Sequence, residues 1–186
     1  MSNKLKELTW AHHQAAERRK FAKELLSGKI DPKLYHKFLC CQYLNYQVLE
    51  KRADIPLYLT PIKRSPHIWA DIRELEEEHG FEPPDQYPDS VNAYTDHIEK
   101  LYKAGDNQGL IAHMYVRHFG ELHGGQMIKK RTPGSGRMYE FDMEKEVLIE
   151  EFRKLLSDDM AEEAKICFDF ASQLFDELSQ EMVDNS

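Results

Sequence analysis

The stretch Phe119-Gly120-Glu121-Leu122-His123-Gly124-Gly125-Gln126 decides how this chain is interpreted. It lies in a run, 106–130, whose pattern otherwise predicts one long helix. A glycine inside a helix costs about 1 kcal/mol relative to alanine, which a chain accepts where a side chain would be in the way. Gly120 and Gly124 are four residues apart and share one helix face, and the glycine pair favours a kink. The sequence therefore predicts a bare backbone strip beside the Glu121 carboxylate.

Two explanations of this strip stay open on spacing alone. A flat, bulky ligand can lie against bare backbone, or a second helix can pack closely against small residues that are four apart. The preceding segment, 111–118, alternates bulky and polar side chains and also fits a strand. We assign it to the helix because no turn signal occurs between Asp106 and Thr132.

The composition is that of a globular protein rich in helix. The 186 residues are 41 % hydrophobic and 31 % charged, with a net charge of −8. This length suits one domain over 1–186, and the negative charge argues against a broad nucleic-acid-binding surface. The odd set of three cysteines indicates reduced thiols and a cytoplasmic location. No signal segment or apolar run of 18 residues is visible, so we expect a soluble protein without a membrane anchor.

Apolar residues recur at helical spacing along most of the chain and predict an all-α, bundle-like domain. Asp31 and Pro32 predict an N-cap and a first helical residue, and Gly28 and Gly80 predict helix ends. The helices are expected at 5–26, 31–52, 67–79, 90–104, 106–130, 142–156 and 157–182.

The first predicted helix carries a candidate metal ligand. Glu17 follows His13 by four residues, so the two side chains can meet on one helix face. A carboxylate that accepts the Nδ1 proton of a histidine fixes its tautomer and strengthens Nε2 as a ligand. A surface histidine–glutamate pair without function explains the same spacing, and His12 is the adjacent histidine.

Motifs of several other chemistries are missing from the sequence. There is no phosphate-binding loop, no nucleophile elbow and no local zinc pattern of the Cys-x-x-Cys or His-Glu-x-x-His type. The one Glu-x-x-His, at Glu76 and His79, lacks the second copy that a di-iron bundle needs, so we interpret it as a solvated acidic face. What remains is a histidine–carboxylate pair on one helix and a glycine strip with a carboxylate on another, which is the layout of a haem site.

The chain resembles the haem oxygenase family over roughly 5–178. The family's distal-helix signature is similar to Ala112-His113-x-Tyr115-x-Arg117-x-x-Gly120-Glu121-Leu122-x-Gly124-Gly125-Gln126. The segment around its proximal histidine is similar to Leu5-Lys6-Glu7-x-Thr9-x-x-x-His13-x-x-Ala16-Glu17. The resemblance implies a single-domain helical bundle that binds haem between the first helix and a glycine-kinked distal helix.

The resemblance implies a role for each matching residue. His13, and not His12, would be the axial ligand of the haem iron, with Glu17 orienting its ring. The matches to other haem-contacting positions are Lys6 and Arg153 at the propionates and Gly120, Gly124 and Gly125 on the haem face. The matches to the family's catalytic distal network are Tyr46, Tyr115, Arg117 and Glu121. A further basic position at the propionates is occupied here by Ile149.

Two residues depart from the family pattern. Glu121 stands where the family usually has aspartate, so the charge is kept but reaches one methylene further. We expect a changed water geometry with function retained. His123 stands where the family usually has serine, and it is either a simple packing change or a second iron ligand in the resting state.

The implied activity is the oxidative opening of haem b, which acts as substrate and cofactor. The expected products are biliverdin (the IXα isomer), carbon monoxide and ferrous iron, formed with oxygen and electrons from ferredoxin or another reductase. A basic patch is the expected docking site of an acidic donor, unless it is only a solvated helix end; it consists of Lys129, Lys130, Arg131 and Arg137. A bilin reductase is an expected downstream partner, and the short polar tail suggests a soluble bacterial, algal or phage type. Two alternatives are a haem-binding or haem-storage protein without ring opening and a helical di-iron or structural protein.

Overall fold

The computed structural model describes residues 4–184, and the side chains of 4–182. These residues form helices and turns without any strand, as the sequence predicted. The α-helices in this range are α1 (Lys4–Glu17), α2 (Lys20–Ser27), α3 (Pro32–Arg52), α4 (Ser65–His79), α5 (Asp89–Lys103), α6 (Asn107–Met114), α7 (Gly120–Lys129), α8 (Lys145–Arg153) and α9 (Ala161–Asp184). None of the described helices combines the length and the hydropathy needed to cross a membrane.

The helices α3 and α9 organise the packing. The side chain of Asp31 accepts the backbone N–H of Leu34 at 3.2 Å and Pro32 follows as the first helical residue, which confirms the predicted start of α3. From there α3 packs against α4 and α5, and α9 packs against α1, α2 and α6. Gly28 and Gly80 end α2 and α4 with φ of 77° and 71°, as expected for left-handed C-terminal glycines.

The first predicted helix, 5–26, is broken in the structure into α1 and α2. Arg19 is extended, with φ −64° and ψ 146°, and its guanidinium donates to Asp176 of α9 at 3.0 Å. The break lets Leu5 enter one core cluster while Phe21 and Leu25 enter a second one. A single straight helix was therefore the wrong prediction, because the two halves of this segment bury their apolar side chains in different places.

The helix expected at 142–156 is shorter than predicted. It runs over Lys145–Arg153, and the preceding residue, Glu144, is extended. The centroid of the Phe141 ring lies 3.8 Å from the guanidinium carbon of the buried Arg64, so the segment before α8 packs against Arg64. The last helix likewise begins later than expected, after a 3₁₀ turn at Asp158–Met160.

The predicted run 106–130 is continuous but changes its winding. Between α6 and α7 the chain forms a π-helical turn, Tyr115–Phe119. Gly120 has ordinary helical angles, φ −59° and ψ −39°, so the departure from α geometry precedes the glycines. The wider turn lets three consecutive residues, Arg117, His118 and Phe119, all face the interior.

A candidate haem site between the first helix and the glycine strip

His13 lies in the last part of α1 with its ring partly exposed. Its Nε2 lies 2.6 Å from Oε1 of Glu17, and the two side chains are 37 % and 64 % exposed. The predicted contact between His13 and Glu17 is confirmed, but it uses Nε2 of the ring, whereas the sequence analysis expected Nδ1. The ring of Phe168 on α9 stacks on His13 with centroids 5.4 Å apart and an interplanar angle of 14°, and this stacking sets the ring plane in which Nε2 reaches Glu17. An exposed pair of this kind breaks at little cost, so the nitrogen is available to another partner.

The glycine strip is open at two of its three glycines. A Cβ atom built on Gly120 or Gly124 meets no described atom within 4 Å. A Cβ on Gly125 lies 2.7 Å from Cδ1 of Tyr139, so this glycine serves close packing against Tyr139. Gly120 and Gly124 thus form the open face that their spacing predicted. Gly125, which the resemblance also assigned to the haem face, lies against the core because it follows Gly124 by one residue on the helix.

The two cations assigned to the haem propionates approach one edge of α7. Burial lowers the pKa of His123, and the charges of Arg153 and Lys6 lower it further. Nζ of Lys6 lies 5.6 Å from the Trp10 ring centroid, and Cζ of Arg153 lies 5.7 Å from that of Phe119. A positive edge is therefore shared by α1, α7 and α8.

Tyr115 belongs to this same edge. Burial raises the pKa of its hydroxyl, while a hydrogen bond with Thr9 and the charge of Arg153 lower it. Thr9 is a residue of α1, so the first half of α1 lies against the π-helical turn. Tyr115 is thus placed at the junction of α1 with the distal helix, whereas the other three predicted catalytic residues lie in the core.

Glu121 is held in the core by Tyr46. The Tyr46 hydroxyl on α3 donates a hydrogen bond to Oε1 of Glu121 on α7. Burial raises the pKa of Glu121 to about 8, although the Tyr46 hydrogen bond and the charge of Arg64 lower it. Oε2 of Glu121 has no hydrogen-bond partner among the described side chains and backbone. The site therefore presents a carboxyl group that is mostly protonated at neutral pH and has one oxygen to spare.

Arg117 is buried between two tyrosine rings. Its Cζ lies 4.2 Å from the Tyr94 ring centroid and 5.4 Å from that of Tyr46, and Nη1 donates to Gln42 at 3.2 Å. Burial lowers the pKa of Arg117, but nearby Tyr94 and Cys167 raise it, and the net shift is upward. The guanidinium thus stays charged beside Tyr46, the residue that positions Glu121.

The sequence reasoning missed a buried histidine–carboxylate pair behind this network. Nε2 of His118 lies 2.8 Å from Oε2 of Glu50, with both side chains at 4 % exposure or less. Glu50 also accepts the backbone N–H groups of Arg64 and Ser65 at 2.6 and 2.9 Å. Burial raises the Glu50 pKa, but these hydrogen bonds lower it to about 2. The one feature of the sequence that pointed to this pair was the position of Glu50, four residues after Tyr46 and therefore on the same face of α3.

The Glu-x-x-His of α4 does not form a metal pair. Glu76 is 10 % exposed, and its carboxylate binds His36 at 3.2 Å and Arg73 at 2.6 Å. His79 stacks on Phe81 instead. The expected solvated acidic face was therefore wrong for Glu76, because α3 and α4 pack together and bring His36 to it.

These residues fit a haem group. Its flat face matches the open backbone at Gly120 and Gly124, its iron takes an imidazole such as that of His13, and its propionates take cations such as Lys6 and Arg153. Glu121, next to Gly120, adds a buried polar atom, Oε2, that has no hydrogen-bond partner among the described side chains and backbone.

Comparison with solved structures defines the class of protein. A haem oxygenase of the cyanobacterium Synechocystis, solved in complex with haem, superposes with a TM-score of 0.81 at 22 % identity over 97 % of this chain and 93 % of that one. A haem oxygenase of Leptospira interrogans gives 0.80 at 24 % identity over 93 % and 97 %. The fold is therefore that of the haem oxygenases.

Sequence comparison identifies the family. The "Heme oxygenase" family model matches residues 1–177. The "Heme oxygenase" of Porphyra purpurea is 27 % identical, with 98 % of this chain and 88 % of that protein covered. "Heme oxygenase 2" of Macaca fascicularis is 28 % identical, with 97 % and 66 % covered. This chain belongs to the haem oxygenase family, whose members bind haem and open its ring to biliverdin.

Proposed function

We propose that 1–186 form one haem oxygenase domain, in which haem b lies between α1 and the distal helix and is opened to biliverdin IXα, carbon monoxide and ferrous iron. His13 would hold the haem iron as its axial ligand through Nε2, and Glu17, which contacts Nε2 in this structure, would move to Nδ1 to orient the ring. The observation that carries this proposal is the open strip at Gly120 and Gly124 directly beside Glu121, whose Oε2 has no partner in the described chain.

Haem supplies the oxygen chemistry when it is bound, and the protein supplies orientation and protons. Tyr46 holds Oε1 of Glu121, and Oε2 is buried without a hydrogen-bond partner among the described side chains and backbone. Because burial raises the Glu121 pKa to about 8, this carboxyl can deliver a proton near neutral pH. Arg117 keeps Tyr46 in place through its cation–π contact, and Tyr115 lines the junction with α1.

The regiochemistry is proposed to follow from the positive edge. Lys6 and Arg153 both lie near His123. They bind the two propionates and so fix the rotation of the haem about its normal. The isomer composition of the bilin then tests this part directly. Lys6→Ala combined with Arg153→Ala is expected to yield a mixture of isomers, and a pure single isomer from this double variant would contradict the assignment.

The proposed electron donor is ferredoxin or a similar acidic protein docked on the basic patch. Lys130, Arg131 and Arg137 are exposed, and Lys129 already pairs with Glu140. Long-range attraction to an acidic donor raises the association rate and weakens with salt. Lys130→Glu with Arg137→Glu is expected to slow ferredoxin-driven turnover about tenfold at low salt, while Lys103→Glu, on α5, leaves it unchanged. Equal rates in both variants would exclude the patch as the docking site.

We also propose a cytoplasmic setting and a bilin reductase as consumer of the product. Cys40, Cys41 and Cys167 are all free and buried, which suits a reducing compartment. Biliverdin retains a conjugated chain that further reduction can shorten, so a bilin-reducing enzyme is the chemical class that follows.

An absorption time course tests the proposed function. Purified protein is mixed with one equivalent of haem, supplied with ferredoxin and its reductase, and exposed to oxygen in the presence of catalase. Loss of the Soret band with growth of a biliverdin band is expected for the parent and for His12→Ala. In His13→Ala the axial imidazole signature and turnover are expected to be lost together. Unchanged ligation in His13→Ala would refute the assignment of the axial ligand.

Haem storage is the competing function, and His123 is the residue that would carry it. Its ring lies edge-on to Phe119, with centroids 4.6 Å apart, one residue from Gly124 on the exposed side of α7. Bis-histidine ligation that persists after reduction and disappears in His123→Ala would favour storage. A single axial histidine in the ferrous protein favours ring opening.

A further inference from the structure

A second cluster of ligand-type side chains lies outside the haem site. His97 on α5, His113 on α6 and Glu163 on α9 place their ligand atoms within 4.8 Å of one another. Oε2 of Glu163 lies 2.8 Å from Nε2 of His97 and 2.9 Å from Nε2 of His113. Two imidazole nitrogens and one carboxylate oxygen are a donor set that binds divalent first-row transition ions.

We propose that His97, His113 and Glu163 form a binding site for one divalent transition-metal ion of the Zn²⁺ class, with water completing the coordination. None of its three residues is among the proposed haem-contacting or catalytic residues. No local sequence motif predicts this site, because the three residues come from three helices that only the tertiary packing brings together.

To take an ion, the Glu163 carboxylate has to move outward from the two imidazoles and open a space between the three ligand atoms. With metal–nitrogen and metal–oxygen bonds of about 2.0–2.1 Å, tetrahedral ligand atoms lie about 3.3 Å apart. The two separations between Glu163 and the imidazoles, 2.8 and 2.9 Å, are shorter by about half an ångström because hydrogen bonds now join these atoms, and all three ligand atoms lie within 4.8 Å of one another. Glu163 is 22 % exposed and can rotate its carboxylate outward, and His97, 20 % exposed, leaves an access route from solvent.

The surroundings of His113 favour the ligating tautomer. Its Nδ1 lies 3.0 Å from the hydroxyl oxygen of Tyr94, and the ring is fully buried. When Nε2 gives its lone pair to a metal, the ring proton sits on Nδ1 and the Tyr94 oxygen accepts it. A hydrogen bond from the far ring nitrogen is the usual support of a metal-bound histidine.

A bound ion would link α5, α6 and α9, and its position connects to the distal network. Tyr94 touches His113 on one side and lies 4.2 Å from the Arg117 guanidinium on the other. An ion that binds only the folded chain stabilises it by mass action. Zn²⁺ at about 100 times its dissociation constant is expected to raise the Tm by about 5–10 °C.

The test uses the full-length, untagged, haem-free protein after treatment with a chelator. Zn²⁺ is titrated by calorimetry, and Co²⁺ is titrated by its visible absorption bands. One ion per chain is expected for the parent. The affinity is expected to fall at least tenfold in His97→Asn and in Glu163→Gln, the second variant keeping the size and shape of the side chain. The matched control is His79→Asn, a partly exposed histidine that stacks on Phe81 and should change nothing.

Two results would overturn the proposal. One is the absence of Zn²⁺ and Co²⁺ binding to the parent at concentrations where the thermal shift is sought. The other is equal stoichiometry and affinity in the parent, His97→Asn and Glu163→Gln, which would assign the ion to other side chains. A thermal shift retained in His79→Asn and lost in both cluster variants would support it.

Discussion

Two histidine–carboxylate pairs of similar length occupy opposite environments in this molecule. His13 and Glu17 meet at 2.6 Å on the surface, and His118 and Glu50 meet at 2.8 Å in the core. In the exposed pair both groups are solvated, so forming the contact or exchanging it for another changes the free energy little. In the buried pair each group depends on the other, since a polar group left alone in the core loses its solvation without replacement. The same chemistry thus suits the iron ligand proposed at His13, which has to exchange its partner, and a permanent structural contact in the core.

The largest expected effect comes from Glu121, the buried carboxyl group that is bonded to Tyr46. Its pKa is raised from 4.5 to about 8, so the folded chain holds this proton more firmly than the unfolded chain. The resulting stability is present below pH 4.5 and is lost as the pH rises through 8, a difference of up to about 5 kcal/mol. Glu121→Gln is therefore expected to flatten this alkaline decline in urea unfolding of the haem-free protein. A decline of the same size in the variant would show that Glu121 is not its source.

The next effect is the loss of the buried pair. Glu50→Ala removes the partner of His118 and of the Arg64 and Ser65 backbone N–H groups. Breaking a buried pair from one side costs about 3–5 kcal/mol, which urea unfolding at pH 7 will show. A cost below about 1 kcal/mol would place Glu50 with the exposed carboxylates.

Acid should weaken the same pair in the wild-type chain. The Glu50 pKa is lowered from 4.5 to about 2, so its stabilising contribution is present above pH 4.5 and is lost as the pH falls towards 2. The loss amounts to about 3 kcal/mol. Glu50→Gln should remove this part of the acid dependence, whereas Glu17→Gln should leave it in place, and equal acid curves for the parent and Glu50→Gln would contradict the assignment.

The smallest expected effect concerns the exposed pair. Glu17→Ala should change the free energy of unfolding by less than about 0.5 kcal/mol, because an exposed i,i+4 pair contributes little. The variant is nevertheless expected to alter the spectrum of the haem complex, since Glu17 is proposed to orient the axial ring. A large loss of stability without a spectral change would show that the His13–Glu17 pair is structural, which would contradict the distinction between the two pairs.

Local spacing in the sequence predicted two parts of the candidate site. His13 and Glu17 are on one helix four residues apart, and the open face of Gly120 and Gly124 follows from the same periodicity. The spacing did not predict the break at Arg19, because the apolar pattern continues across it. In the structure α1 and α2 enter different core clusters. The spacing also did not predict the π-helical turn at Tyr115–Phe119, since this turn depends on burying three consecutive side chains.

The sequence by itself determined the all-helical class, the start of α3 at Pro32 and the pairing of His13 with Glu17, because these depend on periodicity, caps and neighbours within one turn of a helix. The family followed from the resemblance of its motifs. Only the tertiary structure decided that Glu50 would tie His118 to the backbone, that Gly125 would pack on Tyr139, and that three helices would bring together His97, His113 and Glu163. These contacts join residues that lie 14 to 68 positions apart, and their pKa shifts come from burial and from neighbours on other helices. Such effects exist only after the helices have packed, so no local pattern records them.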